Sequence, residues 1–72
     1  VEKKYVKQIL RFGANVKMLR EKRSFTQQQL ADLCEVDIRT IQRIERGEFG
    51  VNLHILYALA DALDVTIVKL VE

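Results

Sequence analysis

The chain has 72 residues, with 12 Lys+Arg against 10 Asp+Glu, 49% hydrophobic residues, one Cys, one His, three Gly and no Pro. That length supports one domain with one small core and excludes a large two-substrate enzyme. Lone Cys34 and lone His54 supply neither an internal disulfide nor a four-ligand zinc site, so no metal or cofactor is expected.

No apolar run approaches the roughly 20 residues that span a bilayer, and no signal-peptide pattern opens the chain. A cytoplasmic protein without a membrane partner is the expectation. The net charge of +2 conceals a polarity. Residues 1–23 carry eight bases against two acids, whereas residues 47–72 carry one base against four acids. Between them, Arg39, Arg43 and Arg46 cluster within eight residues. Clustered arginine on a bipolar chain suits a polyanion, although a charge run is more often only a solvated helix face.

Residues 2–23 are predicted to form the first helix, since Tyr5, Val6, Ile9, Phe12, Val16 and Leu19 recur at the helical spacing of three and four. Gly13 interrupts this segment at a cost of about 1 kcal/mol relative to Ala. Thr26 then opens a helix over 27–34. Gln29 closes a capping box onto it, Phe25 and Leu30 form a hydrophobic staple, and Leu30, Leu33 and Cys34 are the expected buried face. Asp37 caps a third helix over 38–46, with Ile41 and Ile44 inward. Only Glu35 to Asp37 separate the two, and so short a turn makes them cross steeply, as in a helix-turn-helix.

Beyond the loop 47–51, Asn52 caps a fourth helix over 53–63, with Leu53, Leu56, Leu59, Ala60 and Leu63 as its stripe. The tail reads two ways. Val65, Thr66, Ile67, Val68 and Val71 favour a strand by propensity, while Ile67, Leu70 and Val71 suit a helical turn, which is preferred. The prediction is an all-α bundle of four to five helices. Residues 1–72 form a single domain with its core at 12–70. In the extension 1–11, Lys3, Lys4 and Lys7 form an arm along phosphates, or Tyr5, Val6, Ile9 and Leu10 pack an extra helical turn on the core; the second reading is preferred.

The string FGANVKMLREKRSFTQQQLADLCEVDIRTIQRIERGE followed by NLHILYALADALDV resembles the Cro/phage-repressor type of helix-turn-helix domain, the XRE-like group of prokaryotic regulators. Gln27, Leu30, Ala31, Val36, Ile41 and Ile44 stand at that family's motif positions. The resemblance implies that Arg20 pairs with Glu45 to hold the 38–46 helix, the bland alternative being a surface ion pair worth about 0–1 kcal/mol. It also implies that this helix enters the DNA major groove and that Ile38, Arg39, Thr40 and Arg43 face base edges. Spacing agrees in part, because Arg39, Gln42, Arg43 and Arg46 share one stripe opposite Ile41 and Ile44. An arginine binds guanine O6 and N7 with two hydrogen bonds, so Arg39 and Arg43 are assigned to G, with phosphate clamping as their alternative.

Thr26, Gln27, Gln42, Arg46 and Asn52 are the expected phosphate contacts. For Thr26 a capping role alone is the simpler reading, and for Asn52 the two roles weigh equally. Two residues depart from the family pattern. Glu35 stands where the turn usually has Gly, so a left-handed backbone there costs about 1 kcal/mol or the turn is built differently. Ile38 replaces a polar side chain and packs either on a thymine methyl or on neighbouring protein.

The resemblance therefore implies a sequence-specific transcriptional regulator, not an enzyme, that binds a palindromic double-stranded operator as a homodimer. Ile67, Val68, Leu70 and Val71 are its expected dimer contacts. The alternative is an antitoxin-type module whose apolar tail binds a toxin protein while the domain represses its own operon.

Overall fold

The computed structural model describes residues 4–48 and 50–72. Four helix starts follow from side chains that take over backbone N–H groups left without helical partners. Thr26 Oγ1 accepts from the Gln29 N–H at 3.0 Å, and Gln29 Oε1 accepts from the Thr26 N–H at 2.8 Å, which completes the capping box. Asp37 Oδ1 accepts from the Arg39 N–H at 2.8 Å, and Asn52 Oδ1 from the Ile55 N–H at 2.8 Å. Thr66 Oγ1 accepts from the Lys69 N–H at 3.3 Å. That last cap decides the ambiguous tail in favour of a helix.

The elements are α1 (Val6–Lys22), α2 (Gln27–Cys34), α3 (Ile38–Glu45), α4 (Leu53–Leu63) and α5 (Ile67–Val71). Among the described residues there is no strand, and no helix is long and apolar enough to cross a membrane. Helix α1 begins at Val6, whereas spacing places its start at residue 2; Glu2 and Lys3 lie outside the described residues. Helix α3 packs on α1 and α2, α4 packs on α2, and α5 closes against α1 and α4.

Helices α1 to α4 end alike. In each, a residue with positive φ turns the chain, and two backbone N–H groups return to carbonyls of the last turn, as in a Schellman motif. The turning residues are Ser24 (φ 60°), Glu35 (φ 59°), Gly47 (φ 71°) and Asp64 (φ 55°). The closing bonds run from the N–H of Phe25, Val36, Glu48 and Val65 to the carbonyls of Arg20, Ala31, Arg43 and Ala60. Glu35 therefore keeps the left-handed turn and bears its strain. Ser24 and Asp64 bear it too, although no glycine marks them in the sequence. Phe25, Val36 and Val65 offset part of that cost by packing against the core.

The core consists of Val16, Leu19, Leu30, Ala31, Cys34, Ile41, Ile44, Leu59, Ala60, Leu63 and Leu70. Burial pushes the Cys34 thiol above its ordinary range, with the charge of Asp61 adding to the shift, so the group sits as a neutral apolar filler.

Several burial expectations need correction. Leu33 is 54% exposed, because the inward face of α2 is formed by Leu30, Ala31 and Cys34. Leu53 is 69% exposed, on a first turn of α4 that reaches past the core. Tyr5, Val6 and Leu10 are exposed as well, so the extra turn of α1 forms but only Ile9 is partly covered. A helix of 17 residues runs roughly 25 Å, longer than the layers it packs on. Leu70 is fully buried in its own chain, so it is a core residue with no surface to offer as a dimer contact.

Gly13 also has a reason that spacing concealed. A Cβ there would run into the Ile44 carbonyl oxygen and lie 3.1 Å from that of Glu45, where α1 crosses the end of α3. Gly13→Ala will lower the unfolding free energy by about 1–3 kcal/mol in a urea titration, despite the better helix propensity of Ala. A gain in stability would show that the two helices do not meet there. In the same assay Glu35→Gly will raise stability by about 1 kcal/mol, through relief of the left-handed strain.

Candidate nucleic-acid interface

Helix α3 divides cleanly into two faces. Ile41 and Ile44 are fully buried, which fixes the rotation of the helix about its axis. On the opposite side the Arg39 side chain is 83% exposed, and those of Arg43 and Arg46 are more than half exposed. Thr40, Gln42 and Ile38 lie between these faces and are half-buried. Ile38 packs against the core, which agrees with the protein-packing reading of its side chain. Gln42 is drawn in from the outward stripe, its Nε2 3.5 Å from Gln27 Oε1.

Behind this face lies a buried ion pair. Arg20 Nε donates to Glu45 Oε2 at 2.6 Å, and Nη2 donates to Oε1 at 3.1 Å. Arg20 Nη1 donates to the Phe25 carbonyl at 2.8 Å. The side chains are only 10% and 3% exposed, so the pair is no surface contact. The hydrogen bond to Glu45 raises the Arg20 pKa further above its ordinary value, against the opposing effect of burial. One residue from α1 thus grips the end of α3 and the turn that precedes α2.

Gln27 joins the same network, its Nε2 donating to Glu45 Oε1 at 3.0 Å. Its amide is largely committed inside the protein, a use that the sequence did not disclose. A second amide N–H remains in the chemistry of the group for a phosphate. Thr26 and Asn52 both serve as caps, and each retains donors, a hydroxyl proton and an amide NH2 group. No buried side-chain nitrogen or oxygen among the described residues lacks a partner.

Two acids lie among the exposed arginines. Asp37 Oδ1 is 4.0 Å from Arg39 Nε. Glu48, counted in the sequence only as part of an acidic segment, contacts two arginines: its Oε2 is 2.7 Å from Arg46 Nε and its Oε1 is 3.9 Å from Arg43 Nε. The positive surface of α3 is therefore partly neutralised from within. On the far side, Val68 and Val71 of α5 are exposed, as are Leu53 and Tyr57 of α4.

A family model described as helix-turn-helix matches residues 16–70. Among solved structures, the chain is similar to the restriction-modification controller protein C.AhdI from Aeromonas hydrophila, with a TM-score of 0.83 and 32% identity over 86% of this chain and 94% of that one. It also resembles in fold the clp gene regulator ClgR from C. glutamicum, with a TM-score of 0.81 and 22% identity over 88% and 82% of the two chains. None of the curated proteins matches the chain in sequence.

Breaking the buried pair from one side leaves a charge without its partner. Glu45→Met and Arg20→Met will each cost about 3–5 kcal/mol of unfolding free energy. The double variant will lose less than the two single losses combined. Additive losses in this cycle would show that the two side chains do not act together.

Proposed function

This chain belongs to the helix-turn-helix family of DNA-binding transcriptional regulators, and from that premise we propose that it binds a palindromic operator as a homodimer, with α3 in the major groove. The observation that carries this reading is the exposed stripe of Arg39, Arg43 and Arg46 on a helix held from behind by Arg20 and Glu45. A reading helix has to present its side chains at a fixed angle, because the hydrogen bonds that distinguish bases are directional. Arg39 and Arg43 read guanine. Thr40 and Ile38 border them, with Ile38 contributing apolar contact at most, since it is already half covered.

Phosphate contacts come from Arg46, from Thr26, Gln27 and Gln42 beside the start of α2, and from Asn52 at the start of α4. Free N–H groups and the helix dipole favour an anion at a helix start. One α3 reaches too few base pairs for specificity, which is the reason for two copies. Their half-sites lie about one helical turn, roughly 34 Å, apart. Exposed Val68 and Val71, with half-covered Ile67, supply apolar surface for the pairing. C.AhdI is a restriction-modification controller protein, and a controller or repressor role is the reading adopted for this chain.

The same apolar surface favours a second reading, in which a toxin-like protein covers it. Size exclusion of the protein alone separates the two. A discrete dimer supports the operator-binding reading, and a monomer that dimerises only with a host protein supports the other.

Selection on random duplex DNA will return a palindrome with guanine in each half-site. Arg39→Ala will then relax the preference at one guanine, with a loss of about 1–3 kcal/mol on the selected site. An unchanged preference, with uniformly weaker binding and a shallower salt dependence, would reduce Arg39 to a phosphate contact.

A further inference from the structure

Helices α1 to α4 close with the same turn, but the residue after the turning one differs in kind at a single helix. At the ends of α1, α2 and α4 it is Phe25, Val36 or Val65, each packed on the core. Apolar contact is the usual companion of this motif. At the end of α3 it is Glu48, half exposed and charged. Its backbone N–H donates to the Arg43 carbonyl at 2.9 Å, so the turn fixes Glu48 in place relative to α3. From there its carboxylate takes Arg46 at two points, Nε at 2.7 Å and Nη2 at 3.4 Å, and lies 3.9 Å from Arg43 Nε. A carboxylate that meets a guanidinium at two nitrogens makes the kind of contact a phosphate makes.

We propose that Glu48 determines specificity by acting as an internal stand-in for a DNA phosphate, which restrains Arg46 and part of the charge of Arg43. The proposal rests on α3 being the DNA-contacting helix. Binding to arbitrary DNA draws nearly all its strength from phosphate charge and tolerates any register. Arg46 in the grip of Glu48 adds little to that attraction, because its charge is already answered. It is also held in one position, so it serves one phosphate through its remaining N–H groups and cannot adapt to others. At the operator that single position is the useful one. The guanine contact of Arg39 does not involve Glu48, and the two directional hydrogen bonds of Arg43 to guanine depend on geometry more than on the net charge that Glu48 partly answers at 3.9 Å. Loose binding therefore loses more than operator binding.

The test compares the wild type, Glu48→Gln and Asp61→Asn on the best duplex from the selection and on a scrambled duplex of equal length and composition. Asp61 lies exposed on α4, and its substitution makes the same change of net charge away from α3. Glu48→Gln will tighten binding to the scrambled duplex by about three- to tenfold and the selected duplex by clearly less, so the preference narrows. The slope of log K against log salt on scrambled DNA will steepen by up to about 0.9, the value for one more phosphate neutralised. Asp61→Asn will leave both the preference and the slope near the wild type.

Equal tightening on both duplexes overturns the proposal, as does an Asp61→Asn effect that matches Glu48→Gln, since either reduces Glu48 to net charge. Wild type that binds DNA, with no response to Glu48→Gln, overturns the role of Glu48 alone. Failure of the wild type to bind any duplex overturns the reading of α3 and the proposal together.

Discussion

The bond between Arg20 and Glu45 is the constraint on which the arrangement of the motif depends. Two opposite charges are withdrawn from water at the point where α1, the turn before α2 and the end of α3 converge. Withdrawal is expensive, and the attraction between the charges repays it only when their remaining hydrogen-bonding groups are satisfied. Here they are: the Phe25 carbonyl takes Arg20 Nη1, and the Gln27 amide serves Glu45 Oε1. An apolar pair of similar volume would hold the core as well. It would not fix an angle, because apolar contact has no direction and a forked guanidinium on a carboxylate does. Close approach is the second half of the constraint. Gly13 lets α1 lie against the carbonyls at the end of α3, the same end that Glu45 anchors.

That anchor holds the end of α3, and the buried isoleucines fix its rotation. Ile41 and Ile44 face in, and the arginines face out. The outward charge is moderated by Asp37 and Glu48, two acids that the backbone places for structural reasons, one as a cap and one just past a helix end. A surface built for indiscriminate attraction to DNA would omit both. Their presence suits a protein that draws its preference from base edges and limits its attraction to phosphate.

Much of the fold was readable in the sequence, and the reason is locality. Thr26, Asp37 and Asn52 act on N–H groups two or three residues away, so their patterns located three helix starts within a residue. Thr66 acts in the same way, but the β-branched run around it masked the signal. The arginine stripe followed from helical spacing alone. Depth of burial was less accessible, since Leu33, Leu53 and Leu70 have similar local patterns and differ only in which distant helix lies over them. The left-handed ends at Ser24 and Asp64 were hidden because neither is glycine. In the site, the Arg20–Glu45 pairing came from family resemblance. The internal use of Gln27 had no sequence pattern, because its partner Glu45 lies on another helix. Glu48 meets Arg46 and Arg43 close by in the chain, but through the turn beyond α3, where helical spacing no longer applies.

Guanine carries its N7 in the major groove, and adenine carries its N3 in the minor groove. Methylation interference on the selected duplex therefore asks directly which groove α3 occupies and which edge its arginines touch. Methylation of guanine N7 at symmetry-related positions of the two half-sites will abolish binding, and methylation of adenine N3 at the same sites will not. Binding that survives N7 methylation throughout both half-sites contradicts the placement of Arg39 and Arg43 on guanine.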